Sequence, residues 1–300
     1  MTFDLKAACP KCLPASILKY KRDILRLYRL TNPQAAAIPE TGSWLGETSL
    51  FKKYKALPLN IRRAYSVAGV KAGQAFSLKD NKKWQTAMIN DVDAYKKQRS
   101  LQNKSEEEKK NWPKEGIAVL KKIATEFKRT IRRALQTPSV ESLYLYSQYI
   151  ILKFYSVVAL RNDLAEVQIG SGDNHLTKSK GVYTLHMTKF KSSEKVGAVD
   201  IVLSRALSTA LAKYIKFRAQ VKTSHDFLLI NAKGEKLSKK GLGVLLQKLT
   251  KKYTGKSFGT RLIRVLFATE HKNVLDEALK LSKSMLHKDL KQTVSYARKE

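Results

Sequence analysis

The spacing of apolar residues switches pattern in one short region, and that switch limits the folds open to this chain. Before residue 170, apolar side chains recur at the spacing of amphipathic helices. Residues 182–188 and 198–203 are rich in β-formers, and Val199, Ile201 and Leu203 alternate as in a half-buried strand. Helical spacing returns after residue 205. The sequence therefore predicts a mainly α-helical chain with a small β-hairpin or sheet, an α+β protein.

A polar stretch divides the chain into two predicted domains. Residues 1–100 show helical spacing throughout, beginning with a basic amphipathic helix for which Ser16 is the expected N-cap. Residues 101–112 contain few apolar side chains, as an exposed linker does, and parts of this linker could be helical. Residues 113–300 contain both the helical and the alternating segments, so we expect a helical first domain and a mixed second domain.

The second predicted domain begins with two helices. One helix starts near Pro113. The other starts at Ser139 and leads into the sequence ALRNDL, so Arg161 is expected at or near the end of this second helix. The basic sequence KFKSSEKVG forms the expected tip of the hairpin, with Lys189 at its start. Further helices are predicted near residues 205–219, 238–250 and 260–280, and a short strand at 227–230.

The charge of the chain indicates a polyanionic partner. Lys and Arg number 58 against 25 Asp and Glu, a formal net charge of +33. Because 43% of the residues are hydrophobic, there is enough apolar material for a folded core. We find neither a secretory signal nor a long apolar run, and expect a soluble, intracellular protein without a membrane partner.

The two cysteines, Cys9 and Cys12, have the CxxC spacing of a zinc site or a redox pair. Tetrahedral zinc needs four ligands, and no second pair or nearby histidine follows, so we expect reduced thiols with no metal or redox role. His175, His186, His225 and His271 also lack the spacing of metal ligands, and are expected to be structural or surface residues.

Five residues have the chemistry needed to cleave a DNA phosphodiester without a metal: Arg161, Lys189, Arg264, His287 and Tyr296. A phenol with a pKa near ~10 is a poor nucleophile, so it needs cations that favour phenolate and stabilise charge developing on phosphorus. Each guanidinium offers a fork that matches two phosphate oxygens, and a lysine ammonium can protonate a leaving oxygen.

The segments around these residues resemble the catalytic boxes of the tyrosine recombinase (integrase) superfamily. They are ALRNDL at Arg161, MTKFK at Lys189, RLIRVLFAT around Arg264 and MLHKDLKQTVSY ending in Tyr296. His287 follows Arg264 by 23 positions, and the intervals are similar to those of bacterial Xer-type recombinases and phage-like integrases. The resemblance implies a DNA-clamping core-binding domain at 1–100 and a catalytic domain at 113–300. KSEEEKKNWP and LRNDL also resemble integrases of giant viruses and virophages.

The resemblance implies a role for each residue. Tyr296 would attack the scissile phosphate to give a 3′-phosphotyrosine, while Arg161 and Arg264 would bind the nonbridging oxygens. Lys189 would protonate the leaving 5′-oxygen, with Lys191 as the alternative because a hairpin register is not fixed by sequence. His287 would contact phosphate or carry a proton. No cofactor, neither ATP nor a divalent metal, would be needed.

Three departures from the superfamily pattern bear on these roles. Arg261 stands where histidine or lysine is usual, so it would contact phosphate and is too basic to carry protons. The carboxylate of Asp163 lies two positions after Arg161 instead of three, which puts its support of that arginine in doubt. Because few residues follow Tyr296, assembly would use surfaces other than a C-terminal exchange helix, unless the sequence has been shortened.

The resemblance implies double-stranded DNA with a specific inverted-repeat site as the partner, bound by a homotetramer. It also implies action on the DNA of a mobile element or virus, in a host nucleus or a cytoplasmic replication site. Two alternatives stay open. One is a type IB topoisomerase, which shares this chemistry, and the other is a basic DNA-binding protein whose active site has decayed.

Overall fold

A computed structural model of the chain describes residues 3–285 and residue 290. The chain forms two compact units, Met1–Lys104 and Ser105–Glu300. Each unit has its own cluster of buried hydrophobic residues. Among the described residues, no helix combines the length and apolar character needed to cross a bilayer.

The first unit is helical, as the sequence predicts. Its core contains the buried aromatic residues Trp44, Tyr54, Phe76 and Trp84. The first helix begins two residues before the predicted cap: its N-cap is Leu13, and Pro14 occupies the first turn, where a missing N–H costs nothing. The helices of this unit are α1 (Pro14–Tyr28), α2 (Thr48–Lys55), α3 (Leu59–Ala75) and α4 (Lys82–Ser100).

A buried carboxylate links three of these helices. Asp91 of α4 is 2% exposed. It accepts a hydrogen bond from the buried Tyr54 hydroxyl of α2, and its Oδ1 lies 3.2 Å from Nη2 of Arg62 on α3. Burial, and then the hydrogen bond to Asp91, raises the pKa of Tyr54 well above its ordinary value, so the phenol stays a donor.

Cys9 and Cys12 form a disulfide, so the expectation of reduced thiols is wrong. A turn brings the two residues together: the Cys12 N–H donates to the Cys9 carbonyl at 3.0 Å. The Cα atoms are 5.4 Å apart, within the range that a disulfide bridges. The CxxC spacing alone does not reveal the oxidation state.

The second unit is a helical assembly around a small four-stranded sheet, which confirms the predicted α+β class. The sheet order is β1-β2-β3-β4, with β1 parallel to β2 and the other pairs antiparallel. The strands are β1 (Gln168–Ile169), β2 (Asn174–Ser179), β3 (Val182–Met187) and β4 (Val199–Val202). The helices are α5 (Glu106–Asn111), α6 (Val119–Ile131), α7 (Val140–Tyr155), α8 (Ser193–Val196), α9 (Arg205–Arg218), α10 (Lys239–Thr254), α11 (Thr260–Glu270) and α12 (Lys272–Ser284).

Helices α6 and α7 form where the sequence predicts them. The predicted stripe on α6 is buried in the core of the unit. Ser139 is the N-cap of α7, and its hydroxyl accepts from the Ser142 N–H at 3.1 Å. The stripe consists of Leu120, Ile123, Phe127 and Ile131 on α6, together with Ile117 in the 3₁₀ turn just before it.

Four segments differ from the sequence-based expectations. Residues 227–230, of which Leu228, Leu229 and Ile230 are buried, make only isolated bridges, so the predicted strand there is wrong. The helix expected over 260–280 is interrupted at His271, which ends α11 and precedes α12. The edge of the sheet formed by β1 and β2 was not expected. Helix α5 lies inside the stretch expected as a linker and belongs to the second unit.

Candidate active site

Helix α11 presents two of the predicted arginines on one face. Arg261 and Arg264 are both exposed, and residues three positions apart are neighbours on a helix surface. The opposite face of α11 is buried through Leu262, Ile263 and Leu266, with exposures of 7%, 0% and 2%. This buried face fixes the rotation of the helix, so both guanidiniums point away from the core.

Arg161 lies in a short segment after α7, beyond the helix end at which it was expected. It is the N-cap of a 3₁₀ turn, Asn162–Glu166. The buried Tyr155 hydroxyl donates to its carbonyl at 2.6 Å. Burial, with a smaller contribution from Asp163, raises the pKa of Tyr155, so this donor stays protonated and the backbone of Arg161 stays fixed.

A side-chain hydrogen bond joins the two arginine segments. Thr260 Oγ1, at the start of α11, donates to Asn162 Oδ1 at 2.7 Å. Asn162 Nδ2 donates in turn to the carbonyl of Lys239, the first residue of α10, at 2.9 Å. Asn162 is bonded to Arg161 in the chain and Thr260 to Arg261, so this hydrogen bond, between residues 98 positions apart in sequence, brings the two arginine-bearing segments side by side.

Arg161 and Arg264 carry uncompensated charge in the part of the chain that the structure describes. Neither guanidinium makes a hydrogen bond or an ion pair with residues 3–285 or 290. The carboxylate of Asp163 is 3.1 Å from Lys239 Nζ, and so supports the start of α10 instead of Arg161. Two exposed arginines on segments joined by a hydrogen bond, without an acidic partner among the described residues, are suited to binding an anion.

Arg261 has an acidic partner on α5. Its Nη2 donates to Glu108 Oε1 at 3.2 Å, and its Nη1 lies 3.9 Å from Glu107 Oε2. The other carboxylate oxygen of Glu108 accepts from the Ser105 N–H at 2.9 Å and caps α5. One carboxylate therefore both stabilises the helix and holds the arginine.

Helix α5 is also tied to the loop that precedes α11. Lys256 Nζ donates to the Lys110 carbonyl at 2.9 Å, and the Ser257 N–H donates to Asn111 Oδ1 at 3.0 Å. A cleft of about 370 Å³ lies between this helix, the start of α11 and α10. Its lining includes Glu107, Glu108, Asn162, Gly243, Thr260 and Arg261.

Lys189 lies in the turn that follows β3, and its backbone is held by one buried residue. Asn174 Oδ1 accepts from the Lys189 N–H at 3.0 Å, and Asn174 Nδ2 donates to the Lys189 carbonyl at 2.8 Å. The Lys189 side chain is 80% exposed, and its Nζ lies 3.4 Å from Asp173 Oδ2. Lys191 is exposed two positions further on.

His287 and Tyr296 lie outside the residues that the structure describes.

His186 is one of the histidines expected to have no metal role. Its Nδ1 lies 2.7 Å from Asp200 Oδ1, and its Nε2 lies 2.7 Å from Thr177 Oγ1. Burial and the neighbouring Arg218 lower the pKa of His225. Across residues 3–285, no group of three or more His, Cys, Asp or Glu could hold a metal ion.

Sequence reasoning missed three residues of this region: Asn162, Thr260 and Asn174. Each makes its contacts through an amide or hydroxyl that carries no recognisable pattern in the sequence. Asn162 and Thr260 did stand beside predicted arginines, which is the one local signal that singled out their segments.

Comparisons with known proteins give matches among solved structures only. No protein family and no curated protein matches the chain. The chain is similar to the XerH site-specific recombinase bound to difH substrate in a pre-cleavage complex, with 16% identity over 94% of this chain and 91% of that chain, and a TM-score of 0.43. A post-cleavage complex of the XerH recombinase with palindromic difH gives 14% identity, coverages of 92% and 90%, and a TM-score of 0.42. XerA recombinase gives 13%, coverages of 97% and 89%, and a TM-score of 0.37.

Proposed function

We propose that this chain is a site-specific DNA recombinase or integrase that cuts and rejoins strands through a 3′-phosphotyrosine at Tyr296. The observation that carries the proposal is the hydrogen bond between Thr260 and Asn162, because it holds together two segments whose arginines are suited to binding one phosphate. Both Arg161 and Arg264 are exposed. A net charge of +33 attracts the DNA backbone to the chain.

In the proposed reaction, the Tyr296 hydroxyl oxygen bonds to phosphorus and the bond from phosphorus to the 5′-oxygen breaks. Arg161 and Arg264 donate to the nonbridging oxygens and stabilise the charge that gathers there in the transition state, and Arg261 is a further phosphate contact. Lys189 gives a proton to the leaving 5′-oxygen. His287 contacts the phosphate or carries the proton that the phenol loses.

The phosphotyrosine conserves the energy of the broken bond, so a 5′-hydroxyl from a second duplex can reverse the step and complete strand exchange. No ATP or divalent metal takes part in this scheme. Exchange between two duplexes requires four cuts, so a homotetramer on inverted-repeat DNA is part of the proposal. The DNA on which the recombinase acts would belong to a mobile element or a virus. A more specific form of this proposal is an integrase of a giant virus or a virophage.

The experiment that tests the proposal is covalent capture from a pool of duplexes with randomised centres. The full chain is incubated with the pool in EDTA and denatured, and protein-linked DNA is recovered and sequenced. We expect an enriched inverted repeat, and DNA linked to the tryptic peptide 292–298, which contains Tyr296. Tyr296→Phe should yield no linked DNA.

Three outcomes would contradict the proposal. Linkage to another peptide would overturn the assignment of Tyr296. Relaxation of supercoiled plasmid without an enriched site or joined duplexes would favour the type IB topoisomerase. Salt-sensitive binding with no covalent DNA would favour a decayed DNA-binding protein.

Lys189→Ala should slow adduct formation by about 10²- to 10⁴-fold, the usual contribution of a general acid. A duplex with sulfur in place of the bridging 5′-oxygen should restore the rate, because a thiolate leaves without being protonated. Lys191→Ala is the matched control and should react at nearly the normal rate on both duplexes. If Lys191→Ala is the slow and rescued variant, the acid is Lys191.

Glu108→Gln should strengthen DNA binding by about 1.5- to 5-fold at low salt, the range expected for one ion pair at the protein surface. The carboxylate competes with phosphate for Arg261, and glutamine keeps an oxygen that can cap α5. Glu106→Gln makes the same change of charge on the same helix, but Glu106 pairs with Lys109 at 2.8 Å. Equal effects of the two variants in a fluorescence-anisotropy titration would show that only net charge matters.

A further inference from the structure

We infer that Asn162 and Thr260 are positioning residues that fix Arg161 relative to Arg264, so that both guanidiniums reach one phosphate. The inference rests on the proposed function and names two residues outside the predicted catalytic set. Neither side chain needs to touch DNA, because each acts through the backbone of an adjacent segment.

The Asn162 amide is held at both ends. Its oxygen accepts from Thr260 Oγ1 at 2.7 Å, and its nitrogen donates to the Lys239 carbonyl at 2.9 Å. Turning the amide over would place its oxygen against that carbonyl, two acceptors facing each other, so only one orientation satisfies both contacts. The 3₁₀ turn after Arg161 and the starts of α10 and α11 are thereby joined at one side chain.

Gly243 leaves the space that this junction needs. A Cβ built on Gly243 would lie 3.1 Å from Asn162 Nδ2, closer than ordinary van der Waals contact. The glycine lies within α10, where it has lower helix propensity than alanine. Because Gly243 faces the Asn162 amide, a larger residue would crowd that amide, and this explains a glycine at a helical position.

The junction is separate from the contacts that fold the unit. Helix α11 is anchored by its own buried residues, Ile263 and Leu266, and the 3₁₀ turn by Leu164 and Ala165, all at most 2% exposed. The core anchors each of the two segments, and the polar junction fixes the position of one segment relative to the other. A displacement of about 1 Å in a reacting geometry can slow an enzyme by about 10²-fold, so this position matters more for cleavage than for folding.

The test compares Thr260→Val, which keeps the shape and removes the donor, with Thr260→Ser, which keeps the hydroxyl. Asn162→Ala and the double variant Asn162→Ala/Thr260→Val complete a cycle. The control is Thr209→Val on α9, since among the described residues the Thr209 hydroxyl bonds only within its own helix, to the Arg205 carbonyl at 2.9 Å. The substrate is the duplex recovered by covalent capture with the unaltered chain.

We expect Thr260→Val and Asn162→Ala to form the adduct about 10- to 100-fold more slowly under single-turnover conditions. DNA affinity should stay within about threefold, and Tm within about 4 °C of the unaltered chain. Thr260→Ser and Thr209→Val should react at nearly the normal rate. The double variant should be no slower than the slower single variant, because both changes remove the same junction.

Normal cleavage by Thr260→Val, or a loss in rate matched by an equal loss in affinity, would overturn the inference and leave the proposed function standing. Multiplied effects in the double variant would also overturn it. If the unaltered chain captures no DNA from the pool, the proposed function fails first and the inference fails with it.

Discussion

Replacing Arg161 by alanine should lower the rate of DNA cleavage by about 10³-fold, since a lost transition-state donor or arginine has effects of this size. The exposed guanidinium has no anionic partner within the described residues, while its backbone is held through Tyr155 at 2.6 Å. A group whose base is rigid and whose charge is uncompensated is prepared to bind phosphate. The measurement is the single-turnover rate of adduct formation on the captured duplex.

Two variants separate the contribution of the paired N–H donors of Arg161 from that of its charge. Arg161→Lys keeps the charge but loses the paired donors, so it should remain slower than the unaltered chain by about 10²-fold. Arg205→Ala removes one exposed charge from α9 of the same unit and should mainly weaken binding in a salt-dependent way. Cleavage by Arg161→Ala at the rate of Arg205→Ala would remove Arg161 from the site.

Replacing Asp91 by alanine should destabilise the first unit by roughly 3 kcal/mol, as expected when one partner of a buried pair is removed. Tyr54 would lose the acceptor of its hydroxyl inside a core where it is 0% exposed. Arg62 would lose its partner at 3.2 Å, although its side chain, 26% exposed, can still reach water. Hydrogen exchange of the full chain should report faster opening in α3 and α4 and little change in α9 and α10.

Asp93→Ala is the matched control on the same helix. Asp93 is 64% exposed and pairs with Lys96 at 3.1 Å, so its loss should change stability by no more than about 0.5 kcal/mol. Equal destabilisation by the two variants would show that the α4 backbone, and not the buried carboxylate, determines the effect.

Apolar spacing made the helices predictable wherever one face is buried. The stripe from Ile117 to Ile131 and the cap at Ser139 are examples. Strand β2 escaped prediction because its sequence, NHLTKS, has one strongly apolar residue, Leu176, and owes its form to pairing with β3. Helix α5 could be predicted only as a linker with possible helical parts, because its exposed, charged sequence has no apolar stripe and its contacts to the loop before α11 are distant in sequence.

The candidate site shows the same division between local and distant information. Arg161, Arg261 and Arg264 were singled out by their segments, and the structure brings those segments together through Thr260 and Asn162. No sequence pattern specifies a hydrogen bond between residues 98 positions apart. The Asn174 contacts that hold the Lys189 backbone depend likewise on the pairing of β2 with β3.

The attachment of α5 to the loop before α11 decides where this chain can be shortened. A fragment starting at residue 113, where the apolar pattern resumes, would lack the Glu108 partner of Arg261 and the Asn111 acceptor of the Ser257 N–H. A fragment starting at Ser105 would keep both, together with the N-cap of the helix. Limited proteolysis should therefore release a stable product whose new amino terminus is Ser105 or a residue before it.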